Sequence, residues 1–166
     1  MRIELNDACI CAEILALTAL RAVTRPAEAS PVLLTRDQLP GLRNMIRMMF
    51  AETVISLGSH VESCGMDGRD ISPAHPYTSD SGDGDGELTL SLELTVADGV
   101  DSGKSLAIKR TLEHIVAAKV LEAVACGSDH EFTDTLRAQY QGATAALRQS
   151  VGEAAIPTAA IAPRWY

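Results

Sequence analysis

The sequence predicts a mostly α domain with a small β element, an α+β fold laid out like a four-helix bundle. Three observations carry that expectation. Stretches of helical period begin near Ala8, Thr35, Lys104 and Ser128. One stretch, Glu87 to Val96, alternates with period two. The 166 residues are 46% hydrophobic but only 4% aromatic, a composition that favours packing helix on helix over enclosing a large aromatic pocket. A chain of this length supports one domain with its own core. We expect that domain over residues 1–151 and an extended arm over 152–166.

Met1 to Leu5 sets Ile3 and Leu5 against Arg2 and Glu4 and reads as a short edge strand. Asn6 or Asp7 then offers a cap for a helix from Ala8 to about Val23, whose stripe is Ile10, Ile14, Leu17 and Arg21, widened by Cys11 and Leu15. Pro26 ends it, and Pro31 keeps the linker extended. Thr35 and Gln38 form a capping box for a second helix, with Pro40 in its first turn. Leu39, Leu42, Ile46, Met49, Thr53, Leu57 and Val61 recur at helical spacing, so this helix is expected to run to Gly65.

Residues 65–86 are rich in Gly, Ser, Asp and Pro and read as a mobile loop. The strand over 87–96 follows, with Leu88, Leu90, Leu92, Leu94 and Val96 on its buried face. Its backbone needs a partner: Met1 to Leu5, part of the loop, or a neighbouring subunit. A third helix is expected from Lys104 to Cys126 and is stopped by Gly127. Ser128 to Glu131 reads as a second capping box, opening a fourth helix to Val151 with Phe132, Leu136, Tyr140, Ala143 and Leu147 on one face. The short link makes these two a helical hairpin.

Fourteen basic against 22 acidic residues give a net charge of −8, and the basic residues are scattered. That balance opposes sequence-specific nucleic-acid binding and docking on an anionic membrane. The amino-terminal residues carry acids where a secretory signal needs positive charge, and no run reaches the roughly 18 to 20 apolar residues of a membrane span. No signal peptide or transmembrane segment is expected. Cys9 and Cys11 on one helix point about 200° apart, and with Cys64 and Cys126 they read as small buried hydrophobes in a reducing compartment.

The candidate chemistry is incomplete at each place it surfaces. Gly103-Lys104-Ser105 has the end of a phosphate loop, but Asp98 stands where the first glycine belongs. Asp83 to Glu87 has the alternating carboxylates of a calcium loop, but Ser81 and Leu92 occupy its first and last ligand positions. His60 with Cys64, and Cys126 with His130, are spaced four apart without a firm common face, and His114 reads as a satisfied boundary histidine. No Ser, His and acid set stands out, and His75 beside the acidic loop lacks convergent partners. The expectation is therefore a non-enzymatic chain with no catalytic residue, no cofactor and no metal. Partner contacts are expected instead at Ile161, Arg164, Trp165 and Tyr166 on the arm, at Met48, which points away from the gap-filling Met45 and Met49, and at Leu92 on the strand.

The order of these elements resembles a family of phage structural proteins. An amino-terminal helix, a second helix entered through Thr35-Arg36-Asp37-Gln38, the strand Glu87 to Val96, and the hairpin from Ala107-Ile108-Lys109-Arg110-Thr111-Leu112-Glu113-His114 to Ala146-Leu147-Arg148 are similar in plan to head–tail connector, or neck-adaptor, proteins of tailed phages. The resemblance implies a virion subunit at the neck or in tail completion, made in the bacterial cytoplasm. It implies assembly as a homo-oligomeric ring against portal or tail subunits, with the terminal arm clasping a neighbour. The long Gly/Asp loop departs from that plan. The alternative is a cytoplasmic helical regulatory or small-ligand-binding domain, with a pocket between the first and second helices.

Overall fold

The computed structural model describes residues 1–24, 38, 41–74, 76, 88–95 and 102–152. Four helices pack on one face of a four-stranded antiparallel sheet, as the α+β expectation requires. The chain opens with β1, Arg2–Asn6, and turns directly into α1, Asp7–Thr24. Asn6 makes that turn: its Oδ1 accepts the Ala8 N–H at 2.7 Å and satisfies a donor that the helix cannot.

The second helix, α2, is Arg43–Leu57, shorter than its periodicity suggests at both ends. Leu42 stands at its N-cap without a side-chain cap, and Thr35 lies outside the described residues. Gly58, at φ +59°, ends it, and the Gly58–His60 turn leads into β2, Val61–Met66. Residues 61–66 are thus strand and not the last turn of a helix. A bulge between Val61 and Ser63 puts Val61 and Cys64 on the same inner face three residues apart, which imitates a helical spacing.

Part of the expected loop is ordered as well. Asp67 and Gly68 take φ of +52° and +75°, the pattern of a type I′ turn, and join β2 to β3, Arg69–Ile71. Residues 77–87 lie outside the described ones. The strand β4, Thr89–Leu94, then enters between β1 and β2 to give the order β1-β4-β2-β3. Of the three partners its backbone was expected to choose among, it takes the amino-terminal strand, and on its other side β2, which the sequence hid. Leu88, Leu90, Leu92 and Leu94 are each at most 1% exposed and meet Ile3, Leu5, Cys64 and Met66 on the face toward the helices. The opposite face is polar, with Arg2, Glu4, Ser91 and Glu93, and Ser63 Oγ donates to Glu93 Oε2 at 3.2 Å.

The helical hairpin is α3, Ser102–Ala125, and α4, His130–Gly152. Gly127 closes α3 as expected, but the cap of α4 is Asp129, not Ser128. Asp129 Oδ1 accepts the Phe132 N–H at 3.0 Å, while the Ser128 hydroxyl turns back to the Ala125 carbonyl. Phe132, Leu136, Leu147 and Val151 form the buried stripe of α4. The core centres on α3. Leu112, Ile115, Val116, Ala117, Ala118, Val120, Leu121 and Ala125 have no exposed surface, because α1, α2, α4 and β1 surround the helix.

Candidate interaction surface

Two ion pairs and a histidine–carboxylate contact fix how the outer helices sit on α3 and on one another. Arg21, near the end of α1, makes a two-pronged contact with Asp129: Nε to Oδ2 and Nη2 to Oδ1, both 2.9 Å, with the guanidinium 5.5 Å from the Phe132 ring centre. Asp129 therefore caps α4 and ties α1 to it. At the other end of α1, the buried Asp7 meets Arg43 of α2 at 3.4 Å. Midway, His114 Nδ1 lies 2.8 Å from Glu13 Oε1, the satisfied boundary histidine that the sequence suggested.

Lys119 is the most buried cation of the described chain, 8% exposed between α2, α3 and α4. Its ammonium lies 3.7 Å from Glu52 and 5.6 Å from the Tyr140 ring centre. Desolvation lowers its pKa, and the nearby Glu52 and Glu122 carboxylates only partly oppose that. Glu122 is itself held by Arg137 at 2.6 Å. Glu113, 2% exposed, pairs through Oε2 with Arg110 at 3.2 Å, while its Oε1 has no hydrogen-bond partner. Burial pushes the Cys11 and Cys64 thiols up, with Asp7 and Asp70 adding to it, as suits inert packing cysteines. Cys126, expected to be buried, is exposed.

Among the described residues no three His, Cys, Asp or Glu side chains gather around a metal-sized point. Cys64 lies in β2 with its thiol toward the Ile71 carbonyl, and Gly103-Lys104-Ser105 is an ordinary first turn of α3. Asp83 to Glu87 and His75 lie outside the described residues. No described helix is long and apolar enough to cross a membrane.

The expected partner residues separate into three groups. Ile161, Arg164, Trp165 and Tyr166 lie outside the described residues. Met48 is 51% exposed on the outer side of α2, as expected for a contact residue. Leu92 is a correction: at 1% exposure, with β1 on one side and β2 on the other, it belongs to the core and has no surface to offer a neighbour.

Surface residues that the sequence reading passed over extend the Met48 patch and add a second. Ile55, two turns after Met48 on α2, is 48% exposed. On α1, Leu20 is 61% and Val23 78% exposed, at the end of a stripe with Ala8, Ala12, Ala16 and Ala19 that carries no charge. The signal was legible. The helix holds only three charged residues, Asp7, Glu13 and Arg21, and all three turn to partners within the fold, which leaves its outer side nothing ionic. His114 and Lys119, the α3 residues facing α1 and α2, stand roughly 140° apart around that helix, so the two bare faces lie on different flanks.

The chain matches no protein-family model, no curated protein and no solved structure.

Proposed function

We propose that this chain is a non-enzymatic structural subunit of a phage or phage-like particle, placed at the neck or in tail completion and assembling as a ring. The observation that supports it best is the pair of apolar faces on different flanks, Leu20 and Val23 on α1 and Met48 and Ile55 on α2. Two unlike patches on one subunit suit a head-to-tail contact, which closes into a ring when the rotation allows. A self-matching dimer needs only one. Portal or tail subunits are the further partners of this reading.

The alternative, a small-ligand-binding domain, finds less support. The apolar faces of α1 and α2 that were to line its pocket are packed on α3, with Ile10, Ile14, Ile46 and Phe50 at most 1% exposed.

Light scattering across a concentration series, with electron microscopy of the same samples, tests the proposal. The wild type should reach a defined multimer seen as rings, and Leu20→Glu should reduce that multimer at an unchanged melting temperature. Failure of the wild type to form rings at any concentration, or rings that survive Leu20→Glu together with Met48→Glu, would count against it.

A further inference from the structure

We propose that the outer edge of β1 at Arg2 and Glu4, which no other described strand pairs, is a two-fold contact, in which β1 pairs antiparallel with the β1 of a second copy in the register that sets Arg2 opposite Glu4. This contact stands apart from the head-to-tail reading. That reading uses helix faces, whereas this one uses the rim of the sheet.

The backbone groups of β1 divide between its two sides. Met1 and Leu94 exchange both of their hydrogen bonds: the Met1 amino group donates to the Leu94 carbonyl at 2.6 Å, and the Leu94 N–H to the Met1 carbonyl at 2.8 Å. In an antiparallel ladder such bonded pairs alternate with unbonded ones. Ile3 and Leu5 therefore point their N–H and C=O groups inward to Leu92 and Leu90, and Arg2 and Glu4 point theirs outward from the sheet. No other described strand pairs with that side at Arg2 and Glu4, because β1 is the first strand of the sheet order.

Natural edges are commonly blunted by proline, by a bulge or by brevity. β1 has no proline, its register with β4 is unbroken, and it is longer than β3, the opposite edge, which spans only Arg69–Ile71. Its guards are two charges of opposite sign, with side chains 70% and 64% exposed.

Those charges select the register. Outward-bonding residues must face each other, as Arg2 opposite Arg2, Glu4 opposite Glu4, Arg2 opposite Glu4, or in a register centred on Leu5 or Asn6, and that last kind drives the first turn of α1, which starts at Asp7, into the partner strand. The first two set like charges face to face, which destabilises a pair; the third joins opposite charges twice, once on each side of the axis. It also places Ile3 opposite Ile3 on the helix-facing side, where both are already buried in their own cores. The strand is self-complementary in backbone and charge at once, and the occupant it fits is a second copy of itself.

Charge reversal tests this. By light scattering, Arg2→Glu and Glu4→Arg alone should each halve the mass of the wild-type species, and the double variant Arg2→Glu with Glu4→Arg should restore it. Arg2→Pro removes an outward N–H and leaves the β1 to β4 ladder intact, so it should halve the mass by a route independent of charge. Circular dichroism melts confirm that each variant is folded. The halving is expected whether the starting species is a ring pair or a simple dimer, and in the Leu20→Glu background too, so the two proposals fail separately. A wild-type mass of one copy, single reversals at wild-type mass, or a double variant that stays halved would each overturn the contact.

Discussion

α1 and α3 are both apolar around most of their circumference, yet they end in opposite situations. α3 has a neighbour on every side, and eight of its residues expose no surface. α1 has α3, β1 and its polar contacts on one side and, on the other, Ala12, Ala16, Leu20 and Val23 exposed. A helix that is hydrophobic all round belongs in the middle of something. For α3 the middle is within this chain; for α1 the described residues supply no layer on the outer side, and that contrast supports the proposed assembling subunit over a self-sufficient one.

A charge placed on each helix breaks the comparison most directly. Val116→Asp should lose more than about 4 kcal/mol of stability, because the carboxylate has neither water nor a partner within α3's surroundings. Ala16→Asp should stay within about 1 kcal/mol of wild type. Thermal melts that rank the two alike would mean that α1's outer face is as enclosed as α3's.

A subtler probe is Glu113, the polar residue that α3 carries into its burial with one oxygen unpartnered. Glu113→Leu should raise stability by about 1 kcal/mol, since a leucine removes an unmet hydrogen-bonding need in a site already lined with apolar groups. A variant that melts lower would show that the Arg110 contact outweighs the orphaned oxygen.

Smallest is the pH dependence of Lys119. Its folded pKa is lowered, so between that value and the ordinary lysine value of 10.5 the unfolded chain holds a proton that the folded chain has released. Stability rises with pH wherever the unfolded state binds more protons. Cys11, Cys64 and Tyr140, all raised, act in the opposite sense, and their contribution is lost as pH rises past their usual values. Melts of wild type and Lys119→Met from about pH 8 to about pH 10 should therefore show the wild type gaining on the variant. A constant difference would mean that Lys119 keeps its proton as a surface lysine does.

What the sequence revealed and what it hid follow from the same physics. The run Leu88 to Leu94 alternated cleanly because one face of β4 meets the core and the other meets water, and α4 was legible because only one of its faces is buried. β2 was read as helix because its bulge replaced a spacing of two with one of three, in phase with the leucine and isoleucine stripe of α2. β3 carries a single apolar residue, Ile71, so it had no pattern to read; the Asp67-Gly68 pair was the available clue. α3 shows no single core stripe, since from Leu112 to Leu121 nearly every residue is buried. Of the residues expected to meet a partner, Met48 is exposed as its phase on α2 implies, whereas Leu92 is buried, because β1 and β2 both pair with its strand.

The sheet order also sets the schedule on which the chain becomes a protein. β1 and β2 leave the ribosome early, but they are not neighbours; the strand that joins them ends at Leu94, and α3, which packs against β1, begins at Ser102. Until the second half of the chain emerges, Ile3, Leu5, Cys64 and Met66 lack β4 and α3 and have only the first two helices to pack on, and the first half is an exposed, adhesive intermediate. Nascent chains halted before Leu94 should therefore depend on cellular chaperones, and those released after α3 should not.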